Sequence, residues 1–179
     1  MKPVLLAVMA SVCFAATESP VSFASLRAVE ASINDKMRSN VNDPYDLLGT
    51  ARGSYLDGYG VVFTVEMNLV LVSPLNLSPF KPSISEKEVA TMHDRKSRKV
   101  EELKGEMRDL MVGASKTLTG LPATEHLTME AFLFNYKWEN SRNLPKRIIL
   151  TAGKQQLLDA ANKHLSAAEI AKIFDEQEL

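Results

Sequence analysis

Hydrophobic and polar positions change period several times along the chain, and each change marks an element. In residues 21–39, Leu26, Val29, Ile33 and Met37 recur at spacings of three and four, while Arg27, Glu30, Asp35 and Lys36 fall elsewhere on the wheel. That spacing predicts an amphipathic helix. Asn42-Asp43-Pro44 ends it, because the proline ring disfavours helix in the residue before it. A short turn over residues 45–48 follows and closes at Gly49. Residues 51–56 then lead into Asp57-Gly58, a pair suited to a type I′ hairpin. Beyond it Tyr59, Val61, Phe63, Val65, Met67, Leu69 and Leu71 alternate with Thr64, Glu66 and Asn68. A period of two predicts a half-buried strand, with Gly60 at a bulge or bend.

Residues 73–82 hold Pro74, Pro79 and Pro82 and suit neither a helix nor a central strand. Ser83 with Glu86, or Ser85 with Glu88, then opens a capping box. A helix is expected to run from there to Leu118, about 32 residues or ~48 Å. Its apolar stripe fails between Met92 and Val100, so the first half is expected to project beyond the sheet. Gly120 and Pro122 end it. Residues 127–138 form a second strand, with Phe132, Phe134, Tyr136 and Trp138 on one face and Leu127, Met129, Ala131 and Leu133 on the other. Apolar residues on both faces suit a central position. A short strand at 146–151 and two helices, 152–164 and 167–176, complete the chain. Ser166 and Glu169 cap the second of these.

The order is α-β-β-α-β-β-α-α, and the fold class is α+β. Two hairpins predict an antiparallel sheet of about four strands, with the helices mainly on one face.

The start of the chain has a different character. Lys2 precedes an uncharged apolar run over residues 4–15, VLLAVMASVCFA, followed by polar Thr17, Glu18 and Ser19. The run has the length of a secretory signal core and is too short for a membrane span. Cleavage after Ala15 places the small residues Cys13 and Ala15 at the recognition positions. This makes 1–15 a signal peptide and 16–179 one exported α+β domain, periplasmic or secreted. Val12 is too bulky before Cys13 for a lipoprotein site. Cys13 is the chain's single cysteine, so the mature protein has none, and with it no disulfide, thiolate ligand or cysteine nucleophile. Loss of Lys2 takes 21 basic residues to 20 against 22 acidic, which gives no electrostatic case for nucleic acid. No other stretch is long and apolar enough to cross a membrane.

Familiar catalytic patterns do not assemble. His93, His126 and His164 lack metal-ligand spacing, and no metal or cofactor is expected. Ser78-Pro79-Phe80-Lys81 matches Ser-x-x-Lys only in its letters, because the prolines forbid the helical turn that chemistry needs. Thr151-Ala152-Gly153-Lys154 sits at a strand-to-helix junction but lacks the other residues of a phosphate loop; a capped helix start accounts for it. The run from His93 to Lys99 reads as a solvated helix face, with Asp94–Arg98 and Arg98–Glu102 pairs at i,i+4.

The remaining candidates surround the tight turn. Arg52, Tyr55, Asp57 and Tyr59 are the ligand-binding candidates, since arginine grips carboxylate or phosphate and tyrosine rings stack. Cross-strand packing and turn geometry explain the same residues without a ligand. The expectation is a non-enzymatic binding or interaction module whose partner is a protein, a small ligand or an envelope component. One alternative is a hydrolase or transferase using Arg52, Glu66 and Glu130. Another is an envelope assembly subunit docking through residues 86–100.

Overall fold

The structure, a computed structural model, describes residues 19–39, 43–72 and 84–179. The expected signal segment with Cys13, and the proline-rich stretch with Ser78 and Lys81, lie outside the described residues. Ser22 opens the first helix, α1 (Phe23–Arg38), by accepting a hydrogen bond from the Ser25 N–H. This satisfies one of the donors that a helix start leaves unpaired. Leu26, Val29, Ile33 and Met37 form its buried stripe, as their spacing predicts.

Three strands follow: β1 (Asp46–Leu47), β2 (Arg52–Leu56) and β3 (Gly60–Asn68). β1 and β2 run along the same edge of β3, both antiparallel to it, with Asp46 opposite Asn68 and Leu56 opposite Gly60. Helix α1 serves this edge. Asn34 Oδ1 accepts from the Ala51 N–H at 2.9 Å, and Glu30 Oε1 accepts from the Gly53 N–H at 2.8 Å. Edge donors that would otherwise invite another strand are thereby occupied.

The long helix α2 (Glu86–Thr117) begins with the Ser85–Glu88 capping box and leads to β4 (His126–Leu133). β5 (Arg147–Gly153) lies antiparallel beside β4. Then come α3 (Lys154–Lys163), α4 (Ala167–Ala171) and β6 (Asp175–Glu178), the last antiparallel to β5.

One sheet face is buried throughout. Val61, Phe63, Val65 and Met67 join Leu127, Met129, Ala131, Ile148 and Leu150 in a core with Val100, Leu103, Met107 and Met111 of α2. The intervening residues are different: Thr64, Glu130, Ile149 and Thr151 are half-buried, and Glu66 and Phe132 are exposed. Burying one large apolar side chain contributes about 1.5–3 kcal/mol. A one-residue slip of β3 would exchange Met67 for Glu66 in the core, so the register is strongly specified.

Several expectations need correction. The fold is α+β, but among the described residues the sheet is mixed and has six strands, not four strands all antiparallel. β3 and β4 pair in parallel, Gly60 opposite His126 and Met67 opposite Leu133, because α2 returns the chain across the sheet between them. That is the usual consequence of a helical crossover. The observed order is α-β-β-β-α-β-β-α-α-β. Residues 46–47 form a strand rather than a turn, and the expected last helix stops at Ala171 and gives way to β6. The hairpin turn is not type I′: Gly58 has φ 75° but Asp57 is not at positive φ, and Gly60 adopts φ 133°. A Cβ on Gly60 would stand 1.9 Å from the His126 carbonyl oxygen, so the parallel approach of β4 is what demands glycine there.

The first half of α2 does not project as expected. Lys96 and Lys99 are each 1% exposed. Lys96 Nζ bonds Glu139 Oε2 at 2.5 Å and Asn135 Oδ1 at 2.8 Å. Lys99 lies 4.0 Å from the Tyr45 ring centroid and 3.3 Å from Asp43 Oδ1. Arg95 reaches Asp43 Oδ1 at 2.6 Å. The apolar stripe fails here because ion pairs, not hydrocarbon, attach this part of the helix.

Candidate functional site on the open sheet face

The uncovered face of the sheet is organised in rows that cross the strands. One row runs Glu66, Phe132, Arg147 over β3, β4 and β5. The next runs Arg52, Thr64, Glu130, Ile149, Gln177 from β2 to β6. A third contains Ser54, Val62, Thr128, Thr151 and Asp175. Alternation alone puts all of these side chains on the side opposite the core.

The two ends of the face differ chemically. At one end Tyr59 Oη shares a 2.8 Å hydrogen bond with Thr128 Oγ1, which shares another of 3.0 Å with Thr151 Oγ1. The Tyr59 ring stacks on His126 with centroids 5.9 Å apart. These hydroxyls satisfy one another. At the other end Phe132 is 40% exposed. Arg147 pairs with Glu130 Oε1 at 3.0 Å, and its guanidinium carbon sits 5.9 Å from the Phe132 ring centroid. Beside Phe132 a hollow of about 230 Å³ is lined by Gly49, Thr50, Arg52, Thr64 and Glu66. An exposed ring bordered by both signs of charge resembles the aromatic and arginine anchors that carry most protein–protein binding energy.

The four candidate residues at the turn do not converge. Arg52 is on the open face and joins the hollow. Tyr55 points to the opposite side of β2, where its hydroxyl donates to Glu125 Oε1 at 3.0 Å and lies 3.4 Å from Asp57 Oδ1. Desolvation, followed by the Glu125 hydrogen bond, pushes the Tyr55 phenol up to about 12. Asp57 is exposed in the turn, and Tyr59 belongs to the hydroxyl ladder. Glu66 and Glu130 do share a face: they sit on neighbouring strands in adjacent rows.

The sequence pattern pointed to Phe132 without placing it. Its aromatic face reads as one side of a buried strand, but the strand ends at Leu133, so only Phe132 lies on the open face while Phe134, Tyr136 and Trp138 follow in the loop beyond it. Arg147 carried no signal, because its role arises only from pairing beside Glu130 and Phe132. The Gly153-Lys154 junction is a helix start as expected, but its groups are committed. The Lys154 N–H bonds the Glu125 carbonyl at 2.8 Å, and the buried Lys154 ammonium donates to the carbonyls of Ser115 and Leu118. These are acceptors at the end of α2 that a helix leaves unpaired. Among the described residues no group of three or more His, Cys, Asp or Glu side chains is arranged to hold a metal ion. No helix among them is long and apolar enough to cross a membrane. Compared with known proteins, the chain matches no family model, no curated protein and no solved structure.

Proposed function

We propose that this chain is an exported, non-enzymatic interaction module that docks a protein partner on its open sheet face. The observation that carries the reading is the row Glu66, Phe132, Arg147, with Arg52 beside it, on a face that the helices leave uncovered. Phe132 supplies apolar contact area, while Arg52 and Arg147 supply planar donors for carboxylates or backbone carbonyls. Export rests on residues 2–15 and on the small residues before Ala16.

The test is site-specific photocrosslinking in the producing cell. Phe132→p-benzoylphenylalanine is expected to give a discrete adduct that is lost when Arg147→Ala is added. Asp35→p-benzoylphenylalanine, on the exposed side of α1, is expected to give none. Equal adducts at both positions, or none at either, overturn the reading.

A second reading, hydrolase or transferase, is favoured by one observation: Glu66 and Glu130 sit near each other on the same face. Against it, Glu130 is already neutralised by Arg147. Turnover of a chromogenic ester or glycoside that Glu66→Gln abolishes, with the fold intact, would favour this reading over the first.

A further inference from the structure

Where the first turns of α2 pass the Trp138 ring, away from the rows described above, a cleft of about 290 Å³ opens. Its walls are Ile84, Met92 and the Trp138 indole, with Lys87, Glu88, Thr91 and Arg95 around them. Mostly apolar walls with a few polar groups at the rim are the usual composition of a small-ligand site, and the volume falls at the lower end of that range.

The polar groups are not equally available. Glu88 is engaged in the capping box, its Oε2 accepting from both the N–H and the hydroxyl of Ser85 at 2.9 Å. Thr91 donates its hydroxyl to the Lys87 carbonyl at 2.9 Å. Arg95 places one guanidinium nitrogen on Asp43, while its side chain stays 38% exposed. A guanidinium carries five N–H donors, so most of its capacity remains. Lys87 makes no ion pair or side-chain hydrogen bond among the described residues. The uncommitted hydrogen-bond donors around the cleft are therefore those of the cationic Lys87 and Arg95.

The walls are also held in place. Tyr136 stacks on Trp138 with centroids 6.0 Å apart and planes 10° from parallel. The next residue, Glu139, is bonded by buried Lys96. A cleft that is already shaped loses less entropy when a ligand enters it.

We propose that this cleft binds a small amphipathic anion, an aliphatic or aromatic monocarboxylate. The apolar part lies against Ile84, Met92 and Trp138, and the carboxylate is held by Lys87 and Arg95. The site stands independently of the protein-docking face.

Trp138 is the only tryptophan in the chain and lines the site, so its emission reports occupancy directly. The full chain is titrated with octanoate, octan-1-ol and octyltrimethylammonium below their aggregation limits, with calorimetry alongside in case the indole is silent. Octanoate is expected to bind saturably and at least tenfold more tightly than octanol, and the cation not to bind. Lys87→Glu is expected to weaken octanoate about tenfold with unchanged circular dichroism. A flat titration by both methods overturns the proposal. Equal affinity for octanol, or no effect of Lys87→Glu, overturns it as well.

Discussion

Lys96 and Glu139 form an ion pair of 2.5 Å in which both side chains are 1% exposed. Lys96 stands midway along the part of α2 that lacks an apolar stripe, and Glu139 closes the segment that carries Phe134, Tyr136 and Trp138. Desolvation lowers the Lys96 pKa, and the hydrogen bond and charge of Glu139 only partly oppose that. The pair therefore fixes where the aromatic segment sits more than it adds net stability.

Removing one partner should cost far more than removing both. Lys96→Ala leaves a buried carboxylate and is expected to cost about 3–5 kcal/mol. Lys96→Met with Glu139→Leu should recover most of that loss. Urea denaturation midpoints of the two variants and the wild type measure the difference.

Acid sensitivity should be traceable to the strap that holds β6. Glu176 bonds Arg108 at 2.5 Å and Lys104 at 2.9 Å. Desolvation raises its pKa, but Lys104 and Arg108 outweigh it and leave the carboxyl below its ordinary value of 4.5. A carboxyl lowered in the native state stabilises above its unfolded pKa and loses that contribution as pH falls through the native value. Unfolding midpoints should therefore drop below pH 4.5. Glu176→Gln is expected to cost about 1 kcal/mol at pH 7 and to flatten that acid limb.

Two glycines should respond in opposite senses to the same substitution. Gly60→Ala meets the His126 carbonyl at 1.9 Å and is also strained at φ 133°; a loss above about 3 kcal/mol, or no folded protein, is expected. Gly105 lies inside α2, with nothing within 4 Å of an added Cβ. Gly105→Ala should raise stability by about 1 kcal/mol. Thermal midpoints distinguish the two.

At the open face, binding and stability should separate. Arg147 is 38% exposed, and its pair with Glu130 contributes about 1 kcal/mol or less to folding. Arg147→Ala is therefore expected to leave the denaturation midpoint nearly unchanged while removing the crosslink from position 132. If midpoint and adduct fall together, Arg147 serves the fold and not a partner.

The proposed export makes a prediction about mass. Protein recovered from the producing cell should begin at Ala16 and contain no cysteine. Intact-mass spectrometry with thiol labelling decides it.

Local elements were legible in the sequence where one periodicity governed the outcome. The α1 stripe, the alternation of β3, the Ser85–Glu88 and Ser166–Glu169 caps and the α+β class all follow from side-chain spacing and nearest-neighbour hydrogen bonds. Pairing partners were not legible. Nothing local distinguishes a β4 that runs parallel to β3 from one that runs antiparallel to it, because the long-range hydrogen bonds decide it, whereas the antiparallel β4–β5 pair is as expected. For the same reason Phe132 could be seen as part of an aromatic face, but not as part of an exposed one. The run from His93 to Lys99 reads as solvated because lysines are rarely buried; the tertiary approach of Asp43 and Glu139 reverses that at Lys96 and Lys99, while Asp94, Ser97 and Arg98 stay exposed. Sequence determined which residues share a face; the fold decided which faces meet, since burial of a charge depends on a partner that lies far away along the chain.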